Sequence, residues 1–499
     1  MLTVEEIKTF LDQDAASTKK QLARVGQRYY DGDHDIRNFR VFFIDGEGQL
    51  QEDTYRSNIK ICHPFFTELV DQEVQYMLSG KDGFVHSDDP ELQKELDEYF
   101  NENEDFTSEL YEVLTGCVVK GFDYLYAYKN AEGKTAFQCA DSLGVVEIEA
   151  KDASDGRDHV LYCYVERRGK DNKRIKHIQD WDSENAYFYK QEEDGKIEPD
   201  NCVEVAEGQF VNVRPHAIFT NGKSDAKFIE TFGFIPFFRI DNNKKQFSGL
   251  KSIKDQIDDY DLMSCGLSNN IQDTNEALYV VRGFQGDNLD ELMLNIKAKK
   301  HIGVDDEGGV EIKTVDIPYE ARKIKMEVDE KNIFRFGMGV NTESLKDTSA
   351  TTSIAIKSAY SLLDLKCNKL EIRLKQFMRK LLKIVLAEIN DQKGTDFAQK
   401  DVYFDFEREI ITNAQENAQI ELTEAQKQQV QIGTLLNLST YFDNETLMQQ
   451  ICDVLDLDYN DLKDKLPDPD AEVIDAQAAL DTAQIDEEGA EPIGGGVIE

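Results

Sequence analysis

Asn221-Gly222-Lys223-Ser224 carries the ending of a phosphate-binding loop, a Gly-Lys-Ser run whose amides and ammonium could hold a nucleotide. That loop also needs a glycine five residues before Gly222, and Ala217 stands there, so the backbone cannot wrap its amides around a phosphate. The segment reads as a hairpin turn. Asp31-Gly32-Asp33-His34-Asp35 opens like a calcium loop, but the sixth position is Ile36 instead of glycine and the twelfth is Phe42 instead of glutamate. A solvated turn is the expectation. The seven histidines (His34, His63, His86, His159, His177, His216, His301) include no pair at i, i+4, so the zinc-protease helix is absent. No Gly-x-Ser-x-Gly elbow and no local Cys/His signature marks a nucleophile. The eight cysteines (Cys62, Cys117, Cys139, Cys163, Cys202, Cys265, Cys367, Cys452) form no Cys-x-x-Cys pair, which argues against a zinc ribbon or a thioredoxin-like site and for reduced thiols. The residues therefore assign no catalytic group, no cofactor and no metal.

The charge balance points the same way. The chain has 499 residues, with 57 Lys+Arg against 98 Asp+Glu, a net charge of −41. A surface this acidic does not clamp DNA, because clamping needs cations that displace counterions, although such a protein can surround DNA without adhering to it. With 40% apolar and 10% aromatic residues the chain builds real cores. At ~150 residues per domain it would hold three or four domains. The start, Met1 to Phe10, carries Glu5 and Glu6 where a secretory leader would be basic and then apolar, so no leader is expected. Apolar runs such as Phe234–Phe238 fall far short of the ~20 residues a membrane span needs.

The elements follow from periodicity. The first 57 residues read as mostly helical, with a turn at Tyr29–Asp33. Helices are expected over Ile59–Leu78 and Pro90–Gly116, and short antiparallel strands over Tyr124–Phe238. Leu250, Ile253, Ile257, Tyr260, Leu267 and Ile271 recur in helical steps, with Lys251, Lys254, Asp255, Asp258, Asp259 and Asp261 on the other face and Ser248 as N-cap. That helix, Gly249–Ile271, spans roughly 33 Å. A compact insert at Thr274–Val315 follows, with a strand at Ala277–Val281, a short helix at Leu289–Ile296 and a turn at Asp305–Gly309. A second helix runs Asp316–Phe336, stopped by Gly337 and Gly339, and carries Arg322, Lys323, Lys325, Lys331 and Arg335. Asn341–Ala350 is small and polar, a loop. A long helix spans Thr352–Asn390 with Leu363, Leu370, Leu374, Phe377, Leu381 and Ile384 buried, then a short strand at Val402–Phe406. Helices fill Asn413–Leu466, and the acidic tail from Pro467 has no Lys or Arg and is expected to be disordered. The basic stretch Lys366–Lys383 has two readings, phosphate contact or a solvated, salt-bridged face. The second leads in so acidic a chain.

This order of elements resembles the portal proteins of tailed double-stranded DNA bacteriophages, the siphophage-type family of phages and prophages of Gram-positive bacteria. The residues that carry the resemblance begin with Tyr29–Ile36, Asn58-Ile59-Lys60, Leu69-Val70-Asp71 and Tyr76–Gly80. They continue through Gly121–Tyr124 with Tyr126, Asn130–Gly133, Gly233–Phe237, Asn242-Asn243, Ser248-Gly249-Leu250, Ile257-Asp258 and Tyr260-Asp261.

The resemblance implies an α+β fold with long stem helices, a helix/strand wing, a small α/β clip insert and a helical crown. It divides the chain into a wing at 1–245, stem helices at 246–271 and 316–338, and a clip at 272–315. A tunnel loop follows at 339–351, a long wing helix and strand at 352–412, a crown at 413–466 and the acidic tail at 467–499. It further implies a non-enzymatic ring of about twelve subunits at one capsid vertex of the virion, assembled in the host cytoplasm. Double-stranded DNA would pass through the ring during packaging and ejection. The expected partners are the terminase large subunit, the head–tail adaptor, and the scaffold and major capsid proteins, with no membrane. Asn341, Thr342, Ser344, Lys346, Thr348 and Ser349 would form the tunnel loop facing DNA, with Lys346 repeated as a circle of charges. Lys323, Lys325, Lys331 and Arg335 would face the channel or pair with Asp255, Asp258 and Asp259 of a neighbour, pairing being the leading reading. Two other classes stand beside this one. A metal-dependent DNA-processing enzyme would need clustered carboxylates, and a non-channel minor capsid or adaptor protein has no use for a stem.

Overall fold

The computed structural model describes residues 1–54, 56–80, 83–130, 132–149, 156–168, 172–193, 195–220, 227–274, 278–284, 292, 304–313, 318–341, 353–408, 414–437 and 444–455. The chain divides into two compact units, Met1–Ile410 and Ile411–Glu499. Helices and antiparallel sheets occupy separate stretches, the α+β class expected.

The first unit opens with α1 (Val4–Ala16) and α2 (Thr18–Tyr30). The Thr3 hydroxyl accepts from the Glu6 amide at 3.3 Å while Glu6 accepts from the Thr3 amide at 2.9 Å, a capping box that fixes the start of α1. Helical structure then stops earlier than the sequence reading had it. Residues 42–52 form a hairpin of β1 (Phe42–Ile44) and β2 (Leu50–Glu52), because the Asp45 carboxylate accepts from the Glu47 and Gln49 amides and closes the turn. Helix α3 (Phe65–Met77) begins only after Pro64, which as N-cap ends the extended segment before it. Its Phe66, Leu69, Val70, Glu73, Val74 and Met77 are buried, one face at helical spacing. Strand β3 (Val85–His86) and helix α4 (Pro90–Leu96) follow. The single helix expected over Pro90–Gly116 is split by a π turn, and α5 (Glu104–Lys120) restarts under an Asn103 cap. Gly121 ends α5 with φ +94°, and a side chain there would meet the Gln246 carbonyl at 2.3 Å, so only glycine fits.

The strands come in chain order as β4 (Phe122–Lys129), β5 (Thr135–Ala140), β6 (Val145–Glu149), β7 (Arg157–Arg168), β8 (Lys173–Trp181), β9 (Asn185–Glu192), β10 (Glu198–Pro199), β11 (Val203–Ala206), β12 (Gln209–Val211), β13 (Val213–Pro215), β14 (Ala217–Thr220), β15 (Lys227–Glu230) and β16 (Phe237–Asp241). One antiparallel sheet runs β10-β9-β8-β7-β6 with β13 on β9, and another runs β16-β4-β5. Trp181, the only tryptophan, packs with Phe122, Tyr124, Val160 and Phe237 between them. β14 and β15 pair antiparallel, Thr220 opposite Lys227; Asn221–Ser224, the phosphate-loop ending, lie outside the described residues.

Helix α6 (Lys254–Thr274) is preceded by a 3₁₀ turn at Gly249–Ser252 capped by Ser248, whose hydroxyl accepts from the Leu250 amide at 3.1 Å. The insert contains β17 (Leu278–Phe284) and β18 (Val304–Lys313), paired antiparallel. The turn expected at Asp305–Gly309 is part of β18, where the register shifts opposite Arg282 and Phe284. The short helix expected at Leu289–Ile296 lies almost wholly outside the described residues. Helix α7 (Tyr319–Gly337) ends with Met338 in the left-handed conformation. Gly337 and Gly339 do a second job besides the stop expected of them: a side chain at either would run into Leu69 of α3, at 2.6 and 2.1 Å. Helix α8 (Ser353–Lys393) is 41 residues long and buries the expected stripe from Leu363 to Ile384 against α3, α5 and β16. Strand β19 (Tyr403–Phe404) closes the unit by pairing with β3. In the second unit, α9 (Ala414–Asn437) and α10 (Asn444–Val454) pack together. The tail from Pro467 lies outside the described residues.

Candidate functional site

Helices α6 and α7, separated in sequence by the β17–β18 insert, lie side by side. Lys325 on α7 reaches across to Asp259 on α6 and also engages Asp329 one turn along its own helix. The pairing considered between neighbours is, for this lysine, made within one chain. Hydrogen bonds from Lys325 to both carboxylates raise its pKa above the ordinary lysine value. The contact with Asp259 is substantially exposed and adds little to stability, whereas Asp329 is buried and depends on the lysine for its charge partner. Lys325→Ala leaves buried Asp329 without its cation and is expected to lower unfolding stability by about 1–3 kcal/mol, read as a shift in thermal midpoint.

Asp258 accepts from Lys254 at 2.6 Å and from the Tyr29 hydroxyl, and Lys254 also donates to Asp35 at 2.7 Å. Burial alone would push Asp35 up, but Lys254 and Arg28 hold it at about 2. Asp255 is exposed. Lys323, Lys331 and Arg335 are exposed on α7 with no ion-pair partner among the described residues. Ile324, Val328 and Phe336 are exposed on the same helix, as are Leu262 and Ile271 on α6. The apolar face expected on α6 is thus buried at Leu250, Ile253 and Ile257 and opens to solvent by Ile271.

Asp261, read from sequence as part of the polar face, is fully buried. Its Oδ2 lies 2.6 Å from His34 Nδ1, its Oδ1 lies 2.7 Å from His63 Nδ1, and the His63 amide donates to Oδ1 at 3.0 Å. His34 is also fully buried, stacked on Tyr29 at 4.5 Å, with Nε2 3.2 Å from the Tyr29 carbonyl. The turn at Asp31–Asp35 therefore departs from the solvated reading: Asp31 and Asp35 are exposed, but His34 plugs into α6. Burial alone would raise the Asp261 pKa; the hydrogen bonds from His34 and His63 outweigh it and hold the carboxyl below its ordinary range. Cys62 places its sulfur within 4.8 Å of ligand atoms of His34 and Asp261. Since His34 and Asp261 already satisfy each other, the trio reads as a lock between the 29–36 turn, the 61–63 segment and α6. Sequence spacing gave no hint of it, because the partners of Asp261 stand 227 and 198 residues away.

Of the expected tunnel-loop residues, Asn341 donates to Glu330 Oε1 at 3.0 Å. Thr342, Ser344, Lys346, Thr348 and Ser349 lie outside the described residues. The basic stretch of α8 is divided. Lys366 pairs with buried Glu73 at 2.8 Å and Lys375 with Glu371 at 2.8 Å. Arg379, Lys380 and Lys383 line a cleft of about 1310 Å³ beside Arg157, Arg239 and Glu147. Loss of water against the cleft wall, then Arg239 and Arg157, lower the Lys380 pKa. Among the described residues no helix is long and apolar enough to cross a membrane.

The family model described as "Phage portal protein, SPP1 Gp6-like" matches residues 11–455. The portal protein of Bacillus phage SPP1 is 25% identical over 431 residues, covering 84% of this chain and 82% of that one. The portal protein of Clostridium phage phiCD119 is 29% identical over 194 residues, 38% of this chain and 42% of that one. Among solved structures, a chain from "Neck of native GTA particle computed with C12 symmetry" aligns over 79% of this chain and 90% of its own length, with a TM-score of 0.39 and 10% identity.

Proposed function

The chain belongs to the SPP1 Gp6-like family of phage portal proteins, and from that premise we propose that it forms the ring through which double-stranded DNA enters and leaves the capsid. The family is structural and non-enzymatic, its members are virion components, and an oligomeric ring is its working form. The observation that carries the proposal for this chain is the α6–α7 pair, packed side by side and bridged by Lys325 and Asp259, with the paired strands β17 and β18 between them in sequence. Two adjacent helices with an insert between them are what a channel stem and a docking clip require.

In this reading α6 and α7 are the stem, 272–315 the clip that meets the terminase large subunit and later the head–tail adaptor, and 339–351 the tunnel loop. Residues 1–245 and the long helix and strand at 352–412 form the wing, which faces scaffold and major capsid proteins, and 413–466 the crown; the division into compact units after Ile410 supports that last boundary. About twelve copies close the ring, assembled in the host cytoplasm before the vertex is built. The net charge of −41 suits a conduit, because a channel that neutralised many phosphates would hold DNA fast. Lys323, Lys331 and Arg335, exposed and unpaired among the described residues, are available to the channel or to a neighbour.

Lys346 on the tunnel loop is the cation assigned to transient DNA contact. Lys346→Glu turns one positive charge per subunit into a negative one, and is expected to lower the yield of packaged DNA about tenfold while leaving ring mass unchanged. Packaging equal to the parent would remove Lys346 from the reading. Loss of the ring itself would make the residue structural.

A further inference from the structure

The β1–β2 hairpin stands open to solvent on both faces. Its register places Ile44 opposite Leu50 and Phe42 opposite Glu52. Cross-strand partners share a face, so Phe42, Ile44 and Leu50 form one surface, apolar except for Glu52 at its end. All six strand residues are exposed, Ile44 by 72% and Leu50 by 67%. A two-stranded ribbon with no covering layer is marginal in water, and contiguous exposed apolar surface of this kind marks an interaction site. The polar turn at Asp45–Gln49 is well bonded internally, so the ribbon is shaped before it meets anything.

The occupant follows from the ring. A cyclic assembly of more than two copies uses heterologous contacts, in which two unlike patches of the same chain meet. The chain carries a second patch of the required kind. Leu362, Leu365 and Ile372 stand exposed along α8, Ile372 by 63%, on the side turned away from buried Leu363, Leu370 and Leu374. Their spacing of three and seven residues puts them on one stripe. We infer that the hairpin is an inter-subunit arm whose Phe42–Ile44–Leu50 face lies on the Leu362–Leu365–Ile372 stripe of the adjacent copy. This inference rests on the ring reading above.

Two measurements on the full chain test it. A photo-crosslinking amino acid placed at Ile44 in purified rings is expected to give an adduct of twice the chain mass whose linked peptide contains residues 362–372. The triple variant Phe42→Ser, Ile44→Ser, Leu50→Ser is expected to release subunits from the ring, at least tenfold more than the parent at equal concentration, with Trp181 fluorescence unchanged. Rings that stay whole in the triple variant, or an adduct to another protein or another surface, overturn the arm and leave the ring reading standing. A parent chain that never forms rings overturns both.

Discussion

Asp261→Asn is expected to unlock the 29–63 segment from helix α6 while leaving the sheets folded. The carboxylate is fully buried and is the shared partner of His34 and His63, at 2.6 and 2.7 Å. An asparagine offers one oxygen where two imidazole nitrogens sit against the carboxylate, so either fully buried His34 or part-exposed His63 loses its partner. Breaking a buried pair from one side destabilises by about 3–5 kcal/mol. Hydrogen exchange in residues 29–36 and 61–63 should therefore accelerate about 100-fold or more, since each 1.4 kcal/mol is a factor of ten. The pH dependence has a definite sign. The folded pKa of Asp261 lies below its unfolded value, so its contribution is present above about pH 4 and is lost as pH falls through the folded pKa. Acidification should open this segment in the parent and make no comparable step in the variant. Exchange in the variant within twofold of the parent would mean the lock is not held by Asp261.

Lys120→Met is expected to act with the opposite pH signature. The Lys120 ammonium sits 2.8 Å from Asp123 and 2.7 Å from Asp141. Asp141 is half exposed and can rehydrate, whereas Asp123 is buried and would be left without a counterion. A loss of about 3–5 kcal/mol follows at pH 8. Burial already pushes Asp123 up to about 6 against the pull of Lys120, and removing the lysine raises it further. A carboxyl raised in the folded state binds its proton more tightly there, so stability recovers as pH falls through the folded pKa toward the unfolded one. The deficit relative to the parent should shrink between pH 8 and pH 5. Trp181 reports it, being the only tryptophan, sharing a core cluster with Phe122 and Tyr124, and lying with its ring 6.3 Å from that of Tyr126 on the strand that carries Asp123. A deficit that does not change with pH would contradict the assignment.

Where one face of an element is buried along its whole length, the sequence was enough to find it. The stripe Leu363 to Ile384 on α8 and the start of α6 at Ser248 are examples, because periodicity and capping are local properties. Long-range contact was not legible. Nothing in the run Asp255, Asp258, Asp259, Asp261 tells the buried carboxylate from its exposed neighbours, since the difference is made by His34 and His63 far away in the chain. Helix α7 ends at Gly337, where its sequence places the stop, but the second reason for Gly337 and Gly339 is remote: Leu69 needs the space they leave, and Met338 takes the left-handed turn. The β1–β2 hairpin does carry a local signal, an apolar triplet before Asp45-Gly46, but it is short beside the helical pattern of the thirty residues before it.

A ring-forming chain is recognised by the mass of its purified assembly, read by native mass spectrometry at low and high salt, with negative-stain images of the same sample. The expected result is a particle of about twelve times 57.0 kDa with a central hole. Monomers and dimers alone at every salt concentration, with no annular particles when scaffold protein is added, would contradict it.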